Sequence, residues 1–106
     1  MTSVKFIYCD NQIVGFTVCG HSTKNAHDDI GRLVCTAISS AAYMAVNTVT
    51  DVVCADADVS VSDGFMSISL KNKIDDAQDI LRGFKLHIEG LYDQYKSIIH
   101  IESEEK

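Results

Sequence analysis

The chain contains neither proline nor tryptophan. It also has no Gly/Ser-rich stretch, internal repeat or low-complexity segment, so nothing resembling a linker divides its 106 residues. One domain over residues 1–106 is expected, long enough to bury roughly 60 to 70% of its unfolded surface in a single core. Basic residues are scarce: nine Lys plus Arg stand against fifteen Asp plus Glu, a formal charge of −6, with no basic block. Phosphate recognition needs clustered cations, which argues against direct nucleic-acid binding and leaves an acidic surface suited to solubility or to a basic polypeptide. The opening MTSVKFIYCDN lacks the charged and apolar regions of a leader, and no apolar run approaches the roughly 18 residues of a membrane span. The expectation is a cytoplasmic protein without a membrane partner.

The four cysteines, at positions 9, 19, 35 and 54, form no CxxC pair and show no close Cys/His ligand spacing. No metal and no other cofactor is therefore expected, and in a reducing compartment all four are thiols. Cys9, Cys19 and Cys54 read as small buried hydrophobes. Cys35 has a different context.

Alternating β-branched and aromatic residues predict a hairpin from Val4–Cys9 and Ile13–Cys19, joined by a three-residue loop at Asp10, Asn11 and Gln12. That register places Val4, Phe6 and Tyr8 on one face with Val14, Phe16 and Val18. After a polar stretch from Gly20 to Asp29, a helix is expected from about Gly31 to Asp51, with Asp28 or Asp29 as its N-cap. Val34, Ile38, Ala41, Ala42, Ala45 and Val49 recur at three and four along it, which marks a face on a sheet. Asp63-Gly64 joins a second hairpin, Ala57–Ser62 with Phe65–Leu70. A second helix begins near Asp75 or Asp76 and carries an apolar stripe through Leu81, Phe84 and Ile88. Its two glycines, Gly83 and Gly90, share a side and hint at close contact with another helix or subunit. A short strand over Ser97–Glu102 and a solvated tail complete the chain. The order β-β-α-β-β-α-β predicts an α+β fold, two layers with a mostly antiparallel sheet packed against two helices.

His21 follows Gly20 where the second strand pattern stops, and Cys35 lies where the small-residue helical run begins. A strand end and a helix start can meet in space. If they do, the imidazole takes the thiol proton and creates the thiolate, the nucleophilic form of cysteine. A free thiol with a pKa near 8.5 is only about 3% ionised at pH 7, so such a partner matters. Val34 and Cys35 offer backbone N–H groups as candidate oxyanion donors at the loop-to-helix junction. Ser39, four residues after Cys35, either bonds back to its own helix or faces the thiol. Spacing alone does not establish proximity, and a lone Cys in an Ala-rich helix is more often packed and inert. Tyr43 and Met44 read as packing residues, and His27, His87 and His100 as solvated or core-edge side chains.

The pattern Gly20-His21, a polar loop, then Val34-Cys35 with Ser39 resembles the signature of the ribosomal-processing cysteine protease family (Prp). The resemblance extends to length and element order. It implies a His21/Cys35 dyad with Gly20, Val34 and Ser39 as the rest of the motif, and Asp28, Asp29 or neither orients His21. It also implies a homodimer, and a substrate that is the N-terminal extension of a bacterial large-subunit ribosomal protein, the twenty-seventh, cut after a Phe-Phe pair. Arg32 stands where the family usually has Asp, and the His-to-Cys loop is a little longer than common. The polar loop from Ser22 to Asp29 reads as a lid that orders on binding. Two rival classes are a non-enzymatic ribosome-associated peptide-binding module and a redox-sensing thiol. Loss of turnover with retained binding after Cys35 alkylation separates the first from a protease, and sulfenate formation without cleavage marks the second.

Overall fold

The computed structural model describes residues 1–20 and 29–106. Strands β1 (Thr2–Cys9) and β2 (Gln12–Gly20) pair antiparallel, with Val4 opposite Val18 and Phe6 opposite Phe16. The expected loop of three residues is instead a two-residue turn. Asp10 and Asn11 both take positive φ, 52° and 65°, and Cys9 pairs with Gln12. Short side chains that tolerate the left-handed region make this turn accessible, and its twist matches that of the flanking strands. The apolar face survives because β2 bulges: Ile7 faces Gly15 while Tyr8 faces Ile13, leaving Val14 as the extra residue. Both Ile13 and Val14 are buried.

A bulge inside the molecule leaves backbone groups to satisfy. The buried Gln78 side chain does this, accepting from the Ile13 N–H at 2.9 Å and donating to the Ile13 carbonyl at 2.8 Å. It also donates to the Ile74 carbonyl on its own helix at 2.9 Å.

Helix α1 spans Asp29–Asn47 and runs on into a π-helical turn at Thr48–Val52. It begins two residues earlier than expected. The hydroxyls of Thr48 and Thr50 bond back to the Met44 and Val46 carbonyls at the wide turn. By length and composition alone the run 29–52 meets the requirement for a membrane span, which the sequence reading excluded. Val34, Ile38, Ala42, Ala45 and Val49 are nevertheless buried in the same cluster as the sheet residues, so α1 is the core helix of this domain.

Strands β3 (Ala57–Ser62) and β4 (Phe65–Leu70) form the second hairpin in the expected register, with Val61 opposite Met66 and Val59 opposite Ile68. Helix α2 (Ile74–Gln94) buries Ala77, Leu81, Phe84 and Ile88. Phe84 meets Phe16 and Phe6 at ring-centroid separations of 4.5 and 5.7 Å, tying α2 to the first hairpin. The final strand β5 (Ile99–Glu105) pairs parallel to β1. The expected solvated tail is therefore paired backbone with solvated side chains, the strand running past Glu102, and even Lys106 donates its N–H to the Tyr8 carbonyl at 2.8 Å.

The sheet order is β3-β4-β2-β1-β5, and both helices share one core with one sheet face, giving a two-layer α+β fold. Two corrections concern side chains. Cys19 and Cys54 are exposed and Cys9 is half-buried, because Cys19 points to the uncovered sheet face and Cys54 sits in a left-handed connection at φ 62°. Tyr43 and Met44 are also about half exposed, on the side of α1 turned from the sheet centre.

Replacing Gln78 with Ala leaves the Ile13 N–H and carbonyl buried without partners. The expected loss is about 2 to 3 kcal/mol of stability, read by urea unfolding.

Candidate active site

Cys35, Ser39 and Tyr43 stand at i, i+4 and i+8 on α1, so the helical period stacks them on one side. That side faces a cleft of about 310 Å³, whose other walls are Gly20 at the end of β2 and the β3–β4 turn. The structure thus brings together three of the predicted residues, Gly20, Cys35 and Ser39. Cys35 is half-buried within reach of the opening. Ser39 does not bond back to its helix among the described residues, unlike Thr48 and Thr50, and lines the cleft instead.

Gly20 is held by its surroundings. Its φ is +141°, and a Cβ at this position would lie 2.4 Å from the Met1 carbonyl oxygen. Its N–H donates to the Gly64 carbonyl at 3.0 Å, fastening the end of β2 to the β3–β4 turn. A side chain here forces either the N-terminus or the turn to move.

His21 and Asp28 fall outside the described residues, as do His27 and nearly all of the expected lid. Asp29 is the first residue of α1 and is exposed, where a carboxylate favours the positive end of the helix dipole. Val34 is 2% exposed and packs in the core. Because α1 starts at Asp29, Val34 and Cys35 are its sixth and seventh residues. Their N–H groups belong to the i→i−4 ladder and are not free oxyanion donors, which corrects the expectation placed on them. The dipole also acts mainly over the first turn, so a thiol in the second turn takes little help from it.

Arg32 is exposed on α1, and His87 and His100 are exposed too, His100 lying 3.6 Å from Glu102. Among the described residues no group of three or more His, Cys, Asp or Glu is arranged to hold a metal ion.

The sequence reading missed Tyr43, Val61, Asp63 and Phe65, all of which line the cleft. The i+8 spacing from Cys35 was a signal for Tyr43. For the hairpin residues no local signal exists, since their place beside Cys35 comes from the sheet order.

The family model described as "Cysteine protease Prp" matches residues 1–100. Among solved structures, the essential ribosomal processing protease Prp from S. aureus in complex with a substrate peptide is similar at a TM-score of 0.86 and 18% identity, covering 98% of this chain and 100% of that one. The same protease with a covalently linked product peptide gives 0.83 and 21%, with the same coverage. SMU.848 from Streptococcus mutans gives 0.84 and 18%, covering 100% of this chain and 96% of that one. No curated protein sequence matches the chain significantly.

Substituting Gly20 with Ala costs about 1 to 3 kcal/mol from backbone strain, before any cost of the clash. Gly83→Ala is the contrast, because no atom lies within 4 Å of its added methyl. At concentrations where the chain is monomeric, it should be neutral or stabilising by up to about 1 kcal/mol. Equal effects in urea unfolding would contradict the geometry described for Gly20.

Proposed function

The chain belongs to the cysteine protease Prp family, and from that premise we propose that it is a cysteine endopeptidase with Cys35 as nucleophile and His21 as general base and acid. The observation that carries this reading is the cleft in which Cys35 and Ser39 face Gly20, the residue bonded to His21. In the proposed reaction His21 takes the thiol proton as the sulfur attacks the peptide carbonyl carbon. The tetrahedral intermediate collapses, the C–N bond breaks, and His21 gives the proton to the leaving amine. A water molecule, deprotonated by His21, then releases the acyl group from sulfur and restores the thiol. Asp28, Asp29 or neither orients His21.

The substrate is proposed to be the N-terminal extension of a large-subunit ribosomal protein, the twenty-seventh, cut after Phe-Phe in the cytoplasm. Support comes from the cleft around Cys35, where Tyr43 on the same helix and Val61, Phe65 and Met66 of the second hairpin offer apolar surface to an aromatic side chain. Burying such a ring removes roughly 150 to 250 Å² from water. The net charge of −6 also suits a basic ribosomal protein and not a nucleic acid.

A homodimer fits the outer faces of the helices. Ala37, Ala41 and Met44 of α1 meet Ile80 and Gly83 of α2 along an apolar groove, and Leu86 stands exposed nearby. A second copy covering this groove accounts for Gly83 and Gly90, where an added Cβ would meet no described residue within 4 Å beyond its own helix turn. Met44→Asp should then shift sedimentation from dimer to monomer; an unchanged dimer places the interface elsewhere.

Single-turnover cleavage of a Phe-Phe peptide under reducing conditions tests the dyad. Cys35→Ala and His21→Ala should each lose at least about 10³-fold in rate with folding retained. An unmodified protein that binds the peptide without cutting it would instead support a peptide-binding module, with Arg32 at the usual Asp position as the departure behind the difference.

A further inference from the structure

β3 ends the sheet, and its backbone faces two ways. The Lys71 N–H donates to the Asp56 carbonyl at 2.8 Å, which makes Asp56 and Lys71 a hydrogen-bonded antiparallel pair. In an antiparallel ladder such pairs alternate, so Asp58, Ser60 and Ser62 direct their N–H and C=O groups at β4. Ala57, Val59 and Val61 direct theirs at the open edge.

Edge strands are ordinarily blunted by Lys, Pro, a bulge or very short length. β3 has six residues, no Lys, no Pro and an unbroken register with β4. The opposite edge differs, since β5 carries Glu102, Glu104 and Glu105. Val59 and Val61 also sit on the helix-bearing sheet face yet remain 42% and 49% exposed, because the helices do not reach the outermost strand. Among the described residues this leaves an apolar strip beside unpaired backbone. Its far end is Val61, which lines the cleft with Cys35.

We propose that the free edge of β3 docks the substrate backbone: an extended peptide adds to it as a sixth strand and passes at Val61 into the cleft that holds Cys35. The assignment rests on the protease reading above. The occupant is an extended peptide segment whose alternate side chains contact Val59 and Val61, while the intervening ones lie on the side of Ser60 and Ser62. Its charge is basic, matching Asp63 at the cleft and the overall −6; Asp58 is already paired with Lys71 at 3.2 Å. Backbone pairing of this kind gives affinity without a fixed sequence, and the cleft then selects the side chain at the cut.

Residue-resolved amide exchange on the Cys35→Ala protein, with and without a lysine-flanked Phe-Phe peptide, tests the docking. The Val59 and Val61 amides should exchange fast in the free protein and slow by at least about tenfold at saturation, the effect of one well-made hydrogen bond. The Ser60 and Ser62 amides should be protected in both states. Bound peptide with unchanged Val59 and Val61 exchange overturns the edge assignment and leaves the protease intact. A peptide neither bound here nor cleaved by the unmodified protein overturns both. Protection already present without peptide, and growing with protein concentration, assigns the edge to a second copy and also overturns it. In the active protein, Val59→Pro, outside the cleft lining, removes one outward N–H while keeping the ladder to β4, and should raise KM about tenfold with kcat little changed.

Discussion

No side chain fits at position 20, and the site depends on that constraint. Gly20 takes a φ of +141°, lies against the Met1 carbonyl and donates its N–H to Gly64. One residue therefore joins the N-terminus, the end of β2 and the β3–β4 turn. The sheet fixes where β2 ends, with Val18 between Val4 and Met66. The Phe6, Phe16 and Phe84 cluster holds the hairpin against α2. His21 is the next residue in the chain, so the strand end that must be glycine also leads directly to the proposed general base.

The second constraint is that two helices cover less than five strands. Small residues at Ala42 and Ala45 let α1 lie close to the sheet, and Val34, Ile38 and Val49 complete its inner face. The outermost strand is left uncovered, with Val59 and Val61 half open to solvent. A gap between α1 and that strand is the cleft, and Cys35 is the nucleophile class that faces it. Placing the thiol in the second turn gives helical rigidity at the cost of dipole assistance. In the proposed mechanism the proton acceptor comes from another segment, as in a Cys/His dyad.

Much of this was legible from local pattern. The Asp63-Gly64 hairpin appears in its expected register because both turn residues and the apolar alternation agree. The stripes of α1 and α2 hold for the same reason, since helical period and burial coincide. The first turn was misjudged because a bulge at Val14 restores the face that a two-residue turn would otherwise lose, and parity alone does not reveal a bulge. The β5 tail looked unstructured by composition, yet parallel pairing with β1 uses its backbone and leaves its glutamates in water. Gly20, Cys35 and Ser39 were readable as one motif. Tyr43, Val61, Asp63 and Phe65 were not, because only the order β3-β4-β2 brings the second hairpin beside α1.

The central claim is that the sulfur of Cys35 carries the acyl group during cleavage. Acid-quenching the unmodified protein within a single turnover of the Phe-Phe peptide, with intact-mass measurement and peptide mapping, reads this directly. A transient mass increase equal to the N-terminal half of the peptide, mapped to Cys35 and released by hydroxylamine, is expected. Cleavage without that adduct, or an adduct at Cys9, Cys19 or Cys54, would contradict it.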